Sequence, residues 1–369
     1  MEEKIKLLSE SIVSYSLDVK EDERVLITCH SDKPKPLILS LIDKIVEKKG
    51  IPFVRILDSD IETYLLENTK DNRLELIKKQ AEFDVESFDS FINIRYITND
   101  YENRNVSDDI KKKVKDVKKE SDFIRVNERR WVLLNYPSHL DAYKAGMSNR
   151  AYFDYAFDVM TVDYKKMLND IKPLKELMEN TKEVRIVSPG TDITFSIEGM
   201  PVVPCCGESN IPDGEIFTAP IRDSVNGKIT YNTPSPYDGS VFHNVSLTFK
   251  DGKIVSFDSD EGIKLLENIF DTDEGARYIG EFSLGLNPKI MDPMGDILYD
   301  EKIIGSIHFT PGSAYQDAFN GNKSNIHWDL VLIQRKEYGG GEIYFDHRLI
   351  RKDGLFVLPE LQYLNYDLK

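Results

Sequence analysis

Between residues 213 and 329 the chain carries carboxylates and imidazoles in company that plain core or surface positions seldom keep. Glu215 lies in NIPDGEIFTAP, after a Pro-Asp-Gly turn and before an apolar stretch, so its carboxylate either points into a cleft or is a solvated turn acid. Glu281, in RYIGEFSLGLNP, is flanked by apolar residues. An ionised carboxylate there is costly unless offset, so it either binds a metal or pairs with a cation such as Arg277. His308, in IIGSIHFTPGSAY, follows an apolar run that reads as a central strand, with Tyr315 seven residues on; a satisfied core histidine is the competing reading. His327 and Asp329, in NIHWDLVLI, are two apart at the head of another apolar strand, a spacing that points both side chains to one face. Glu301, in LYDEKIIGSIH, is a further oxygen donor or a surface loop acid.

Together these residues offer carboxylate and imidazole ligands and no thiolate, the set suited to zinc, cobalt or manganese. The donors suffice for two divalent ions. Two ions roughly 3.5–4 Å apart can share a water, lower its pKa and hold both the attacking and the reacting oxygen, which is hydrolytic chemistry.

The elements that must position these groups follow from periodicity. Apolar residues at helical spacing over 5–17, 38–45, 61–80 and 108–120 alternate with short β-type runs at 24–29, 52–56, 91–96 and 131–135. Such alternation predicts an α/β N-terminal domain with a parallel sheet and right-handed crossovers. Residues 150–183 read as a helical link. From about residue 183 the pattern changes to strands, with Asp251-Gly252 and Asp353-Gly354 each between alternating runs, the signature of two-residue hairpin turns. The expected organisation is an α/β domain with linker helices over 1–175 and an α+β, largely β-sheet, metal-binding domain over 176–369.

Composition narrows the partners. A formal net charge of -16 over 369 residues disfavours nucleic acid, whose affinity comes mainly from Lys and Arg. The first residues, MEEKIKLLSESIVSYS, lack the continuous apolar stretch of a signal peptide, and no membrane-length apolar run follows, so a cytoplasmic protein with no membrane partner is expected. Three cysteines, with Cys205 and Cys206 adjacent, suit buried thiols better than a disulfide framework or a zinc ribbon. His30 follows the first strand, where open α/β sheets tend to bind ligands, but SDKPK lacks the glycines of a phosphate loop. The lysine run DDIKKKVKDVKKE is interleaved with acids and reads as a solvated helix face.

The motifs GEIFTAP, IGEFSLGLNP, DEKIIGSIHFTPGSAY and NIHWDL, in this order, resemble the metal-dependent aminopeptidases called thermophilic or cobalt-activated, which include aminopeptidases T and S. With YSLDVKEDERVLI and NYPSHLDAYKAGMS the similarity extends over nearly the whole chain. The resemblance implies that Glu215, Glu281, His308 and Asp329 hold two metal ions, with Glu281 between them, His327 as a ligand or close neighbour and Glu301 as a further donor. It also implies that Tyr315 donates to the oxyanion, that the substrates are short peptides, and that the protein is a homodimer enclosing its active sites. Where some members carry two consecutive glutamates, this chain has Gly214 and Glu215. Another metal-dependent amidase or deacylase, or a metal- and peptide-binding protein without turnover, are the alternatives.

Overall fold

The apolar runs of the first half form β1 (Arg24–Cys29), β2 (Ile51–Ile56), β3 (Ser90–Arg95) and β4 (Arg130–Asn135). In the computed structural model, which describes residues 1–366 and 368, these strands are parallel in the order β2-β1-β3-β4, and the short strand Asn210–Ile211 extends the sheet beside β4. After α1 (Glu2–Ser11), which precedes β1, the connections are α2 (Lys35–Glu47), then α3 (Ser59–Glu67) with α4 (Asp71–Ser87), then α5 (Asp108–Asn127). Val25, Leu26 and Ile27 are buried on both faces of β1, as a central parallel strand requires. The step from β1 to β2 runs one way across the sheet and the step from β2 to β3 runs back past β1. Right-handed crossovers therefore put α2 on one face and α3 and α4 on the other.

The single helix expected over 61–80 is two. Asn68 Nδ2 donates to the Tyr64 carbonyl at 2.8 Å and Thr69 Oγ1 to the Leu65 carbonyl at 2.8 Å, side chains competing for the bonds that would continue α3. Lys70 is then extended and α4 starts afresh.

Two compact units result, residues 1–161 with 207–212, and residues 162–206 with 213–369. The sequence pattern divides the chain at 175–176. The helices Tyr164–Asp170 and Lys172–Glu179 group with the second unit, where the Tyr164 hydroxyl accepts the Asp213 N–H at 3.1 Å.

The second unit is largely antiparallel β-structure, as the patterning predicts. An eight-stranded sheet includes Thr191–Ser196 and Ser246–Lys250. A five-stranded antiparallel sheet runs, in spatial order, through Val331–Ile333, Ser306–Pro311, Ile279–Gly285, Glu215–Thr218 and Val203–Cys205. Aromatic rings join the two sheets: Phe195 lies 5.0 Å from both Phe282 and Phe309, and Phe249 lies 6.0 Å from Phe309. Each fully buried ring of this kind stabilises by about 2–3 kcal/mol.

Both expected hairpin turns form, with φ of +48° and +82° at Asp251-Gly252 and +51° and +80° at Asp353-Gly354. A third turn, Asp346-His347, has the same hand without a glycine, at +48° and +66°. Lacking the Asp-Gly signal, it is not visible in the sequence pattern.

Candidate metal centre

Strand alternation decides which groups reach the centre. In Ile279–Gly285, Glu281 and Ser283 share one face, while Phe282 and Leu284 face the aromatic core. Pairing places Ser283 opposite both His308 and Phe217, Glu281 opposite Thr310, and Glu215 opposite Gly285. The run before Val331–Ile333 is extended rather than a regular strand, bridged to Gly312 at His327. It keeps the period of two: Ile326, Trp328 and Leu330 are buried, and His327 and Asp329 turn the other way, with Nε2 and Oδ1 3.2 Å apart.

Two groups of three donors result, each with ligand atoms within 4.8 Å of one another: Glu215, Glu281 and His308, and Glu281, His327 and Asp329. Glu281 belongs to both. Its Oε1 lies 2.9 Å from His308 Nε2, and its Oε2 lies 3.4 Å from His327 Nε2 with no hydrogen bond of its own. Glu215 Oε2 is 3.2 Å from His308 Nε2 and accepts the Ser283 hydroxyl at 2.8 Å. Asp329 Oδ1 accepts from Thr310 Oγ1 at 2.7 Å.

Both imidazoles are oriented from behind. His308 Nδ1 is 3.1 Å from the Glu301 carbonyl and His327 Nδ1 is 2.8 Å from the Ser313 carbonyl. A carbonyl only accepts, so each Nδ1 carries the proton and each Nε2 faces the carboxylates. Burial by itself lowers the His308 pKa, yet the facing Glu215 and Glu281 push it up to about 10. Burial likewise opposes His327, and Asp329 raises it well above its usual range. The carboxylates respond in the opposite sense: burial raises Glu281 and Asp329, but the imidazoles hold both below the usual carboxylate range.

This donor set fits divalent metal ions. Two imidazole nitrogens and three buried or half-buried carboxylates converge there, and among the described residues the buried Glu281 Oε2 atom has no hydrogen bond.

The other expected residues fall around this core. Glu301 pairs with Lys302 and reaches the centre through its carbonyl on His308, but its carboxylate is in neither group. Tyr315 packs against His327 with tilted rings, centroids 4.6 Å apart, and stays 52% exposed. Arg277 does not pair with Glu281: it bonds Asp271 at 2.6 Å. Sequence reasoning missed Lys302, Asp213 and Cys205. Lys302 is fully buried and donates to Glu215 Oε1 at 2.7 Å, while Cys205 and Asp213 form a third group with Glu215. A lysine inside the apolar run that follows Glu301 was the available signal.

Aminopeptidase 2 of Geobacillus stearothermophilus is 45% identical over 75 residues, covering 20% of this chain and 18% of that protein. Aminopeptidase PepS of Streptococcus thermophilus is 30% identical over 172 residues, 39% and 41% of the two chains. Aminopeptidase T of Thermus thermophilus is 34% identical over 139 residues, 33% and 34% of the two. The aligned stretches thus span less than half the length of these relatives. The solved structure of wild-type AmpT from Thermus thermophilus superposes with a TM-score of 0.78 at 18% identity, covering 96% of this chain and 99% of that one, so the fold is shared. The family model described as thermophilic metalloprotease (M29) matches residues 1–344. This chain, with its paired carboxylate and imidazole groups on an antiparallel sheet, belongs to the thermophilic metalloprotease (M29) family.

Proposed function

We propose that this protein is a two-metal aminopeptidase that releases the N-terminal residue of short peptides. The observation that carries the reading is the position of Glu281, whose two oxygens belong to two separate donor groups. Glu215, Glu281 and His308 would hold one ion, and Glu281, His327 and Asp329 the other. When bound, zinc, cobalt or manganese supplies Lewis acidity toward the scissile carbonyl and acidifies water.

The chain's own residues supply the rest. Ser313 and Glu301 carbonyls fix the two rings so that both Nε2 atoms aim inward. The acidic side chains that line the centre draw the free α-amino group of a peptide. That attraction sets the cut at one residue and makes the enzyme an exopeptidase. Tyr315, at the exposed side of His327, contributes a hydroxyl donor for the oxyanion. The homodimer and the cytoplasmic address rest on the family resemblance and on sequence; among the described residues no helix is long and apolar enough to cross a membrane.

Hydrolysis of aminoacyl-naphthylamides and unblocked dipeptides by metal-loaded and chelated protein tests this reading. Release of free amino acids that needs metal and ceases on N-acetylated dipeptides is expected. Equal cleavage of acetylated dipeptides would point to a general amidase, and metal binding without turnover of either would remove the enzyme reading.

A further inference from the structure

The first unit leaves one edge of its sheet open. β2 is the outermost strand, and among the described residues it pairs only with β1. The Ile51 N–H donates to the Glu23 carbonyl and the Leu57 N–H to the Cys29 carbonyl, both at 2.7 Å, so Ile51, Phe53, Arg55 and Leu57 turn their main chain toward β1. Main-chain groups alternate along a strand, which leaves those of Pro52, Val54 and Ile56 pointing outward. Such an edge invites another strand unless it is blunted. Pro52 removes one outward donor, but the N–H groups of Val54 and Ile56 and all three carbonyls remain.

The side chains do not blunt this edge. Ile51, Phe53, Val54 and Ile56 are between 37% and 59% exposed, and α2, which packs on β2, adds the exposed Leu39 and Val46, seven residues apart on one stripe. Large apolar side chains gathered in this way mark a contact surface. The one charge within the strand, Arg55, is taken by Asp84 at 2.6 Å. The charges at the two ends of the strand identify the occupant. Lys48 and Lys49 precede it, Asp58 and Asp60 follow it, and all four are exposed. Lys49 is paired with Glu21 and Asp58 caps α3, whereas Lys48 and Asp60 have no ion pair among the described residues. An identical strand laid antiparallel brings the lysine end of each copy to the aspartate end of the other. A parallel one would set like charges together.

We propose that β2 is a contact between two copies of this chain, paired antiparallel about a two-fold axis at Val54, so that the two five-stranded sheets join into one. In that register Val54 faces Val54, the Ile56 N–H donates to the Pro52 carbonyl, Phe53 stands opposite Arg55, and Lys48 comes near Asp60 across the axis. The missing N–H of Pro52 then costs each copy one bond and leaves no outward donor of β2 unpaired. A two-fold contact closes on itself, so both exposed edges are covered at once. The contact uses the first unit alone and rests on no part of the peptidase reading.

Sedimentation equilibrium of the full-length protein tests the surface, and cysteine cross-linking tests the register. Val54→Asp, which sets like charges on the axis, is expected to halve the native mass at the same protein concentration, with an unchanged melting temperature. Lys48→Glu should weaken association, and Lys48→Glu combined with Asp60→Lys should restore it. Facing Cα atoms of a hydrogen-bonded antiparallel pair are about 5.5 Å apart, within disulfide reach, whereas Ile51 and its copy would be about 20 Å apart. Val54→Cys should therefore link two chains on mild oxidation and Ile51→Cys should not, with the native protein and its three cysteines as the background. A native protein that sediments as a single chain at high micromolar concentration would overturn the proposal. So would Val54→Asp keeping the native mass, which would move any self-contact to another face, or linkage through Ile51→Cys rather than Val54→Cys.

Discussion

Lys302 donates to Glu215 Oε1 across 2.7 Å from a side chain with no exposed surface. Burial alone would lower the lysine pKa, but Glu215 and Glu301 raise it well above its usual range, so the ammonium stays charged. The bond occupies one oxygen of Glu215 and leaves the other for Ser283 and the His308 side of the centre. Removing one member of a buried ion pair leaves the other uncompensated, at a cost of about 3–5 kcal/mol. Lys302→Met is therefore expected to lose that much stability in the metal-free protein, read by urea denaturation. A loss below about 1 kcal/mol would mean that Glu215 does not depend on this partner.

Glu281 is the only residue shared by the two donor groups Glu215–Glu281–His308 and Glu281–His327–Asp329, so its loss should be felt at both. Glu281→Ala is expected to abolish metal-dependent hydrolysis and to retain less than one ion per chain by elemental analysis, whereas Glu215→Gln keeps the His327–Asp329 side. Equal metal content in the two variants would show that Glu281 is not shared.

Asp273 ties the turn before the Ile279–Gly285 strand to the loop that leads to His327. It accepts from Ser324 Oγ at 2.7 Å, from the Asn325 N–H at 2.7 Å and from the Ala276 N–H at 3.0 Å. Burial raises its pKa, but these donors outweigh burial and leave it lowered. A depressed carboxylate stabilises the fold above its unfolded pKa of about 3.9, and that contribution is lost as pH falls through the folded value. Asp273→Ala should cost about 2 kcal/mol at pH 7, with the gap to the native protein narrowing below about pH 4. Denaturation curves at several pH values read this directly; a constant gap would show that the charge is immaterial.

Gly312 has φ of +112°, and a Cβ there would stand 2.2 Å from the Ile326 carbonyl oxygen, one residue before His327. Neither the backbone angle nor the neighbouring main chain can accommodate it. Gly312→Ala is expected to destabilise by about 2–3 kcal/mol or more and to lower metal affinity through displacement of His327. Melting and metal titration of the same variant test both effects, and native-like values in both would rule out a role for this close approach.

The sequence by itself determined the two kinds of structure and the donor types. Alternating apolar runs specify β1 to β4, Asp251-Gly252 and Asp353-Gly354 specify their turns, and the two-residue spacing of His327 and Asp329 specifies a shared face, because each depends on neighbours along the chain. The break between α3 and α4 was hidden, since it depends on Asn68 and Thr69 side chains choosing helix carbonyls. Only the tertiary structure decided which donors meet. Whether Glu281 faced Arg277 or the imidazoles depended on the register that sets Ser283 opposite His308, and that register is fixed by sheet packing around Phe195, Phe282 and Phe309. Lys302 was legible as a residue but not as a partner, because a buried charge is placed by groups 87 residues away at Glu215 rather than by its own neighbours.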